Sequence, residues 1–109
     1  MKISEDTVDK IESFGHWGKP LIWKDTIGTT TGFEMGVSEY QCTEFPQTKM
    51  HQCEEALYFV SGTGSVLIGE TIVDVKAGDA VYIPSNTPHS VRKTGHEILK
   101  AVYAHSGQK

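Results

Sequence analysis

A chain of 109 residues holds one domain around one modest core, and leaves no room for a second unit. With 38% hydrophobic and 22% charged residues, and 11 Gly against 4 Pro, its make-up is that of an ordinary soluble globule, which excludes disordered, collagen-like and membrane-embedded classes. Ten Lys and Arg against fourteen Asp and Glu give a formal net charge of -4 with no dense basic run, so a surface tracking nucleic-acid phosphates is not expected.

In chain order, Ile3, Val8, Ile11 and Phe14 are spaced to share one stripe, with Ser4 as candidate cap, which predicts a short N-terminal helical segment over 1–14. The run Met1 to Asp6 turns acidic at once, without the apolar stretch of a secretory signal, and no segment approaches the roughly 20 apolar residues of a membrane span. A cytoplasmic location is the expectation. Residues 1–20 are read as an extension packing on the domain, 21–105 as the domain itself and 106–109 as a frayed tail, and the apolar area of His16-Trp17-Gly18 and Trp23 is expected to cover a sheet or lie in a dimer interface.

From residue 21 the apolar runs shorten and their period drops towards two. Strands are predicted at 21–24, 33–43, 48–51, 55–61, 65–69, 71–75, 80–84, 89–93 and 97–104. Turn chemistry separates them: Ser61-Gly62-Thr63-Gly64, Gly69-Glu70, Ala77-Gly78-Asp79 and Pro84-Ser85-Asn86-Thr87-Pro88. Many short strands at this spacing predict an all-β sandwich or barrel.

Two stretches carry chemistry, Lys49 to Gly62 and Gly78 to His89. His51, Glu55 and His89 supply two imidazoles and one carboxylate, a set suited to a divalent transition metal with open positions. Alternation puts Lys49 and His51 on one side, and Glu55, Leu57 and Phe59 on the interior with them, so the interior is apolar below and polar at its mouth. Cys42 and Cys53 do not form a C-x-x-C pair and read as reduced thiols, with a disulfide the lesser alternative. Cys53 lies between two candidate ligands and reads as a packing residue, a soft ligand or a redox-sensitive thiol. Tyr58, Tyr82 and Tyr103 fit half-buried strand surface, where one hydroxyl could reach the pocket. His96 and His105 have no partner spacing and are expected to be exposed.

These residues resemble the cupin family, whose first motif is G-x(5)-H-x-H-x(3,4)-E-x(6)-G and second G-x(5)-P-x-G-x(2)-H-x(3)-N. His51, Glu55 and Gly62 match the first; Gly78, Pro84 and His89 match the second. The resemblance implies a double-stranded β-helix, or jelly-roll, barrel, commonly a homodimer, with the metal on His51, Glu55 and His89. It departs at Thr43, Lys49, Asn86 and Lys93, which stand for a glycine, the first histidine, a glycine and the final asparagine. Asn86 is a mild change, because Asn tolerates left-handed backbone. Lys49 is not: an ammonium is repelled by a divalent cation, so four ligands fall to three, with water, Gln47 or Cys53 available to complete the set.

The resemblance therefore implies a divalent metal (Mn, Fe, Zn, Ni or Co), with a small-molecule substrate such as a sugar or sugar acid undergoing isomerase or lyase chemistry. Lys49 and Glu55 are the candidate catalytic groups, Lys49 as electrostatic stabiliser or, with a lowered pKa, as base. Two alternatives stay open: ferrous dioxygenase chemistry on the same triad, and a metal-free barrel that binds a small carboxylate through Lys49, His51 and His89. No nucleic-acid or membrane partner is expected.

Overall fold

The computed structural model describes residues 1–13 and 15–107. They form nine strands: β1 (Ile11–Ser13), β2 (His16–Ile22), β3 (Glu34–Tyr40), β4 (Glu55–Ser61), β5 (Thr63–Ile68), β6 (Thr71–Lys76), β7 (Ala80–Ile83), β8 (His89–Lys93) and β9 (Leu99–His105). Strand alternation does the sorting. In β4, Glu55, Leu57 and Phe59 are buried while Ala56, Tyr58 and Val60 face outward; in β9, Leu99, Ala101 and Tyr103 are buried in the same rhythm.

Six strands make one antiparallel sheet in the order β1-β2-β3-β9-β4-β7, and three make a second in the order β6-β5-β8. Both contribute to one core: Leu57, Phe59, Ile83, Leu99, Ala101 and Tyr103 from the larger, Val66, Val75 and Val91 from the smaller. Each of the larger fully buried aliphatic or aromatic side chains stabilises the fold by about 1.5–3 kcal/mol relative to exposure. This is the all-β jelly-roll architecture expected. No helix of the described residues is long and apolar enough to cross a membrane.

The N-terminal segment is where local pattern and structure part. The helix predicted over 1–14 contracts to one 3-10 turn, Glu5–Thr7, and Ser4 makes no side-chain cap bond. Ile11 enters β1 and is 56% exposed, so the apolar stripe does not form; Phe14 lies outside the described residues. Four apolar positions with no neighbouring helix cannot offset the cost of nucleating one, whereas β1 gains a partner in β2. β2 begins at His16, upstream of the strand predicted at 21–24, and pairs with β3 through a register shift between Pro20 and Ile22. The strand predicted at 48–51 reduces to an isolated bridge between Lys49 and His89.

Two motif positions are held by backbone geometry. Gly62 has φ +83°, and a Cβ there would lie 2.5 Å from the Ile98 carbonyl oxygen, so only glycine fits the tight step from β4 to β5. Asn86 has φ 55°, the left-handed conformation anticipated for it, and its amide donates to the His51 carbonyl at 2.8 Å. The second-motif turn is thereby tied to the first-motif loop.

Candidate metal centre

Three separate segments bring the predicted ligands together. Glu55 opens β4 and His89 opens β8, each as the first inward residue of its strand. His51 lies in the loop between β3 and β4, outside any strand; its carbonyl accepts from the Asn86 amide, and the loop is pinned two residues earlier by the reciprocal Lys49–His89 amide–carbonyl pair, both 2.9 Å. Directly bridged residues project to one face, so Lys49 and His89 begin on the same side.

The donor atoms converge on the Glu55 carboxylate. Its Oε1 lies 3.3 Å from His51 Nε2 and 3.2 Å from His89 Nε2. The far nitrogens face carbonyls, His51 Nδ1 at 3.0 Å from the Cys53 oxygen and His89 Nδ1 at 2.9 Å from the Thr87 oxygen. A carbonyl only accepts, so each Nδ1 carries the proton, which leaves Nε2 as the ligating atom once the acid proton is lost. His51, Glu55 and His89 each offer one ligand atom within 4.8 Å of the other two. Two imidazoles and a carboxylate with their outer nitrogens already oriented fit a divalent transition metal.

The electrostatics agree with that geometry. Burial pushes the Glu55 carboxyl up, but hydrogen bonds from His105 and His89 outweigh it and hold the group well below the usual carboxylate range. Burial alone pushes His89 down; the Glu55 and Thr87 bonds reverse this and leave it raised. Lys49 is exposed overall, yet burial at its ammonium end lowers its pKa against the opposing pull of Glu55. Its Nζ lies 3.3 Å from Ser13 Oγ and 3.3 Å from His16 Nε2.

The donors line a cavity of about 320 Å³ that runs to a mouth bearing Lys49, His16 and Gln47. Tyr103 and Tyr40 form part of its wall. Tyr103 donates to Glu34 Oε2 at 2.7 Å, and burial followed by the Glu34 bond raises its phenol pKa. Of the three tyrosines singled out by sequence, Tyr103 reaches the cavity, while Tyr58 and Tyr82 are about half exposed on the outer face, at 49% and 56%. Cys42 and Cys53 are both reduced cysteines. Cys53 is buried, with Sγ 3.0 Å from His51 Nδ1.

His105 and His16 correct the sequence reading. His105, expected to be exposed, is the last residue of β9, with Nε2 3.0 Å from Glu55 Oε2 and its side chain only 18% exposed. His16, read as part of a covering segment, stacks on Tyr40 with ring centroids 5.5 Å apart and meets Lys49 at the mouth. The signal for His105 was present: it continues the Leu99, Ala101, Tyr103 alternation by one step beyond the predicted strand end at 104. His96 is exposed, as expected.

Two antiparallel sheets packed as a jelly roll, with a His-His-Glu cluster that could hold a metal ion, define a class of small β-proteins. Within that class, residues 37–105 match the model of the cupin domain, more than half of the chain, and the chain belongs to the cupin family. It is 30% identical over 111 residues to an uncharacterised protein of Methanocaldococcus jannaschii, covering 92% of this chain and 83% of that one. Among solved structures, ectoine synthase from P. lautus is similar with TM-score 0.81 and 14% identity, over 98% of this chain and 78% of that one. KdgF from Halomonas sp. is similar with TM-score 0.73 and 15% identity, over 100% and 94%. At such identities the structural likenesses speak to fold alone.

Proposed function

We propose that this cupin is a metal-dependent enzyme that moves a proton on a small polar substrate, of sugar or sugar-acid type, in isomerase or lyase chemistry. The observation that carries the reading is the convergence of His51 and His89 Nε2 on Glu55 Oε1, at the inner end of a cavity whose mouth holds a lysine of lowered pKa. A divalent metal held by His51, Glu55 and His89 would polarise a substrate carbonyl or hydroxyl oxygen.

The chain's own residues do the rest. Glu55 stays ionised and anchors the imidazoles; Thr87 and Cys53 carbonyls hold the rings in the ligating tautomer. As a neutral amine, Lys49 takes a proton from the carbon next to the substrate carbonyl, and the electron pair moves onto the carbonyl oxygen. Return of the proton to the former carbonyl carbon, with the hydroxyl proton of the deprotonated carbon passing to the former carbonyl oxygen, isomerises the substrate; if the electron pair instead comes back off that oxygen and expels, with its bonding pair, a leaving group from the carbon on the other side of the deprotonated one, the reaction is a lyase. The resulting ammonium then faces the oxygen on which negative charge develops, and the apolar wall around Leu57 and Val91 strengthens that attraction by excluding water.

The test is a panel of sugars and sugar acids incubated in D₂O with protein loaded with Mn, Fe, Co, Ni or Zn. Deuterium entering the substrate carbon, lost in Lys49→Met while bound metal is retained, is the expected result. A protein whose melting temperature none of these metals raises overturns the reading in favour of a metal-free binding barrel. Oxygen consumption in place of deuterium exchange would redirect it to dioxygenase chemistry.

A further inference from the structure

We propose that His105 is a fourth ligand of the metal centre, supplied from the last strand in place of the imidazole that Lys49 displaces from the first motif. The proposal rests on the reading of His51, Glu55 and His89 as a metal centre, and adds a residue from outside both motifs.

Register supplies the first reason. His105 is the direct partner of Glu55 across β4 and β9, and of Glu34 across β3 and β9. Residues directly opposed in an antiparallel pair project to the same face, so strand pairing starts the His105 side chain on the same side as the carboxylate. Contact supplies the second. Its Nε2 lies 3.0 Å from Glu55 Oε2, the carboxylate oxygen that His51 and His89 leave to it, and its ring centroid is 5.0 Å from that of His51. Its ligand atom is within 4.8 Å of those of His51 and Cys53, a second cluster of possible donors that shares His51 with the His51, Glu55 and His89 cluster.

Lys49 supplies the third reason. Although its backbone is bridged to His89, its Nζ runs to Ser13 and His16 at the mouth, which leaves the interior position beside the triad to another donor. Cys53 shares the second cluster, but its Sγ meets the Nδ1 edge of His51 and not the Nε2 edge that faces Glu55. The thiol therefore orients that ring, and the donor set is three imidazoles and one carboxylate, which suits Mn, Fe, Co, Ni or Zn and keeps positions open for substrate oxygens.

The experiment is X-ray absorption on the full chain loaded with Co²⁺, joined to chelator competition on the wild type, His105→Ala and, as a control at an exposed position, His96→Ala. Three imidazoles around cobalt in the wild type, a cobalt affinity weakened at least about tenfold in His105→Ala, and no change in His96→Ala are expected. Because the wild-type spectrum counts imidazoles directly, it decides the matter even where His105→Ala fails to fold. Two imidazoles, or wild-type affinity in a folded His105→Ala, overturn the fourth ligand and leave the triad standing. A wild-type chain that takes up no cobalt overturns both.

Discussion

β4 crosses two regions of opposite character. At one end Glu55 faces three imidazoles; two and four residues on, Leu57 and Phe59 sit in the apolar core at 1% and 0% exposure. The same alternation builds both ends, but what holds them differs. The core end is stabilised by area removed from water, which depends on size and hardly on direction. The donor end carries a buried carboxylate whose desolvation is offset only while the imidazoles stay within hydrogen-bond reach, so it depends on direction and charge. Stability should therefore be set at one end and chemistry at the other.

The largest separation of the two should come from Phe59→Ala, which opens a cavity in the core and is expected to lower unfolding free energy by about 3–5 kcal/mol in urea titration, with metal stoichiometry unchanged in the protein that remains folded. Loss of metal at temperatures where that variant is folded would break the distinction. At the other end, Glu55→Gln keeps the shape and removes the charge; chelator competition should show metal binding weaker by roughly 100-fold, equivalent to about 2.7 kcal/mol.

A pH series on the metal-free protein sharpens the contrast. The depressed pKa of Glu55 adds stability above its ordinary 4.5, lost as pH falls towards the folded value, while the raised pKa of His89 adds stability below its ordinary 6.5, lost as pH rises through the folded value. Thermal unfolding of the metal-free chain should thus peak between those two values, and Glu55→Gln should flatten the peak; a flat wild-type profile would contradict the ion-pair description. The smallest effects belong to the connecting turn. Asn86→Val should cost about 1–2 kcal/mol through its left-handed backbone and Asn86→Gly much less, and only the former should weaken metal binding, by loosening the bond that positions His51.

How much of this was legible in residues follows from what each signal measures. Gly62, Gly78 and Asn86 announced turns because positive φ is a local property, and all three have it. Glu55, Leu57 and Phe59 announced an inward face because alternation is local too. The helix over 1–14 failed because its weak stripe was judged without the strand partner that β2 provides. His105 and His16 were missed because their roles rest on pairing across the sheet, Glu55 with His105 and Tyr40 with His16, and spacing within one segment contains no information about register between segments.

By itself, then, the sequence determined an all-β chain and its turns, since these depend on backbone preference and side-chain alternation over a few residues, and it singled out His51, Glu55 and His89 as candidate donors by residue type and by resemblance to two motifs. The tertiary structure alone decided that β9 lies beside β4 with His105 opposite Glu55, and that Lys49 turns towards Ser13 and His16 at the mouth. Those outcomes belong to the closing of the barrel, where which strand lies beside which, and in what register, is chosen by the burial of the whole core at once.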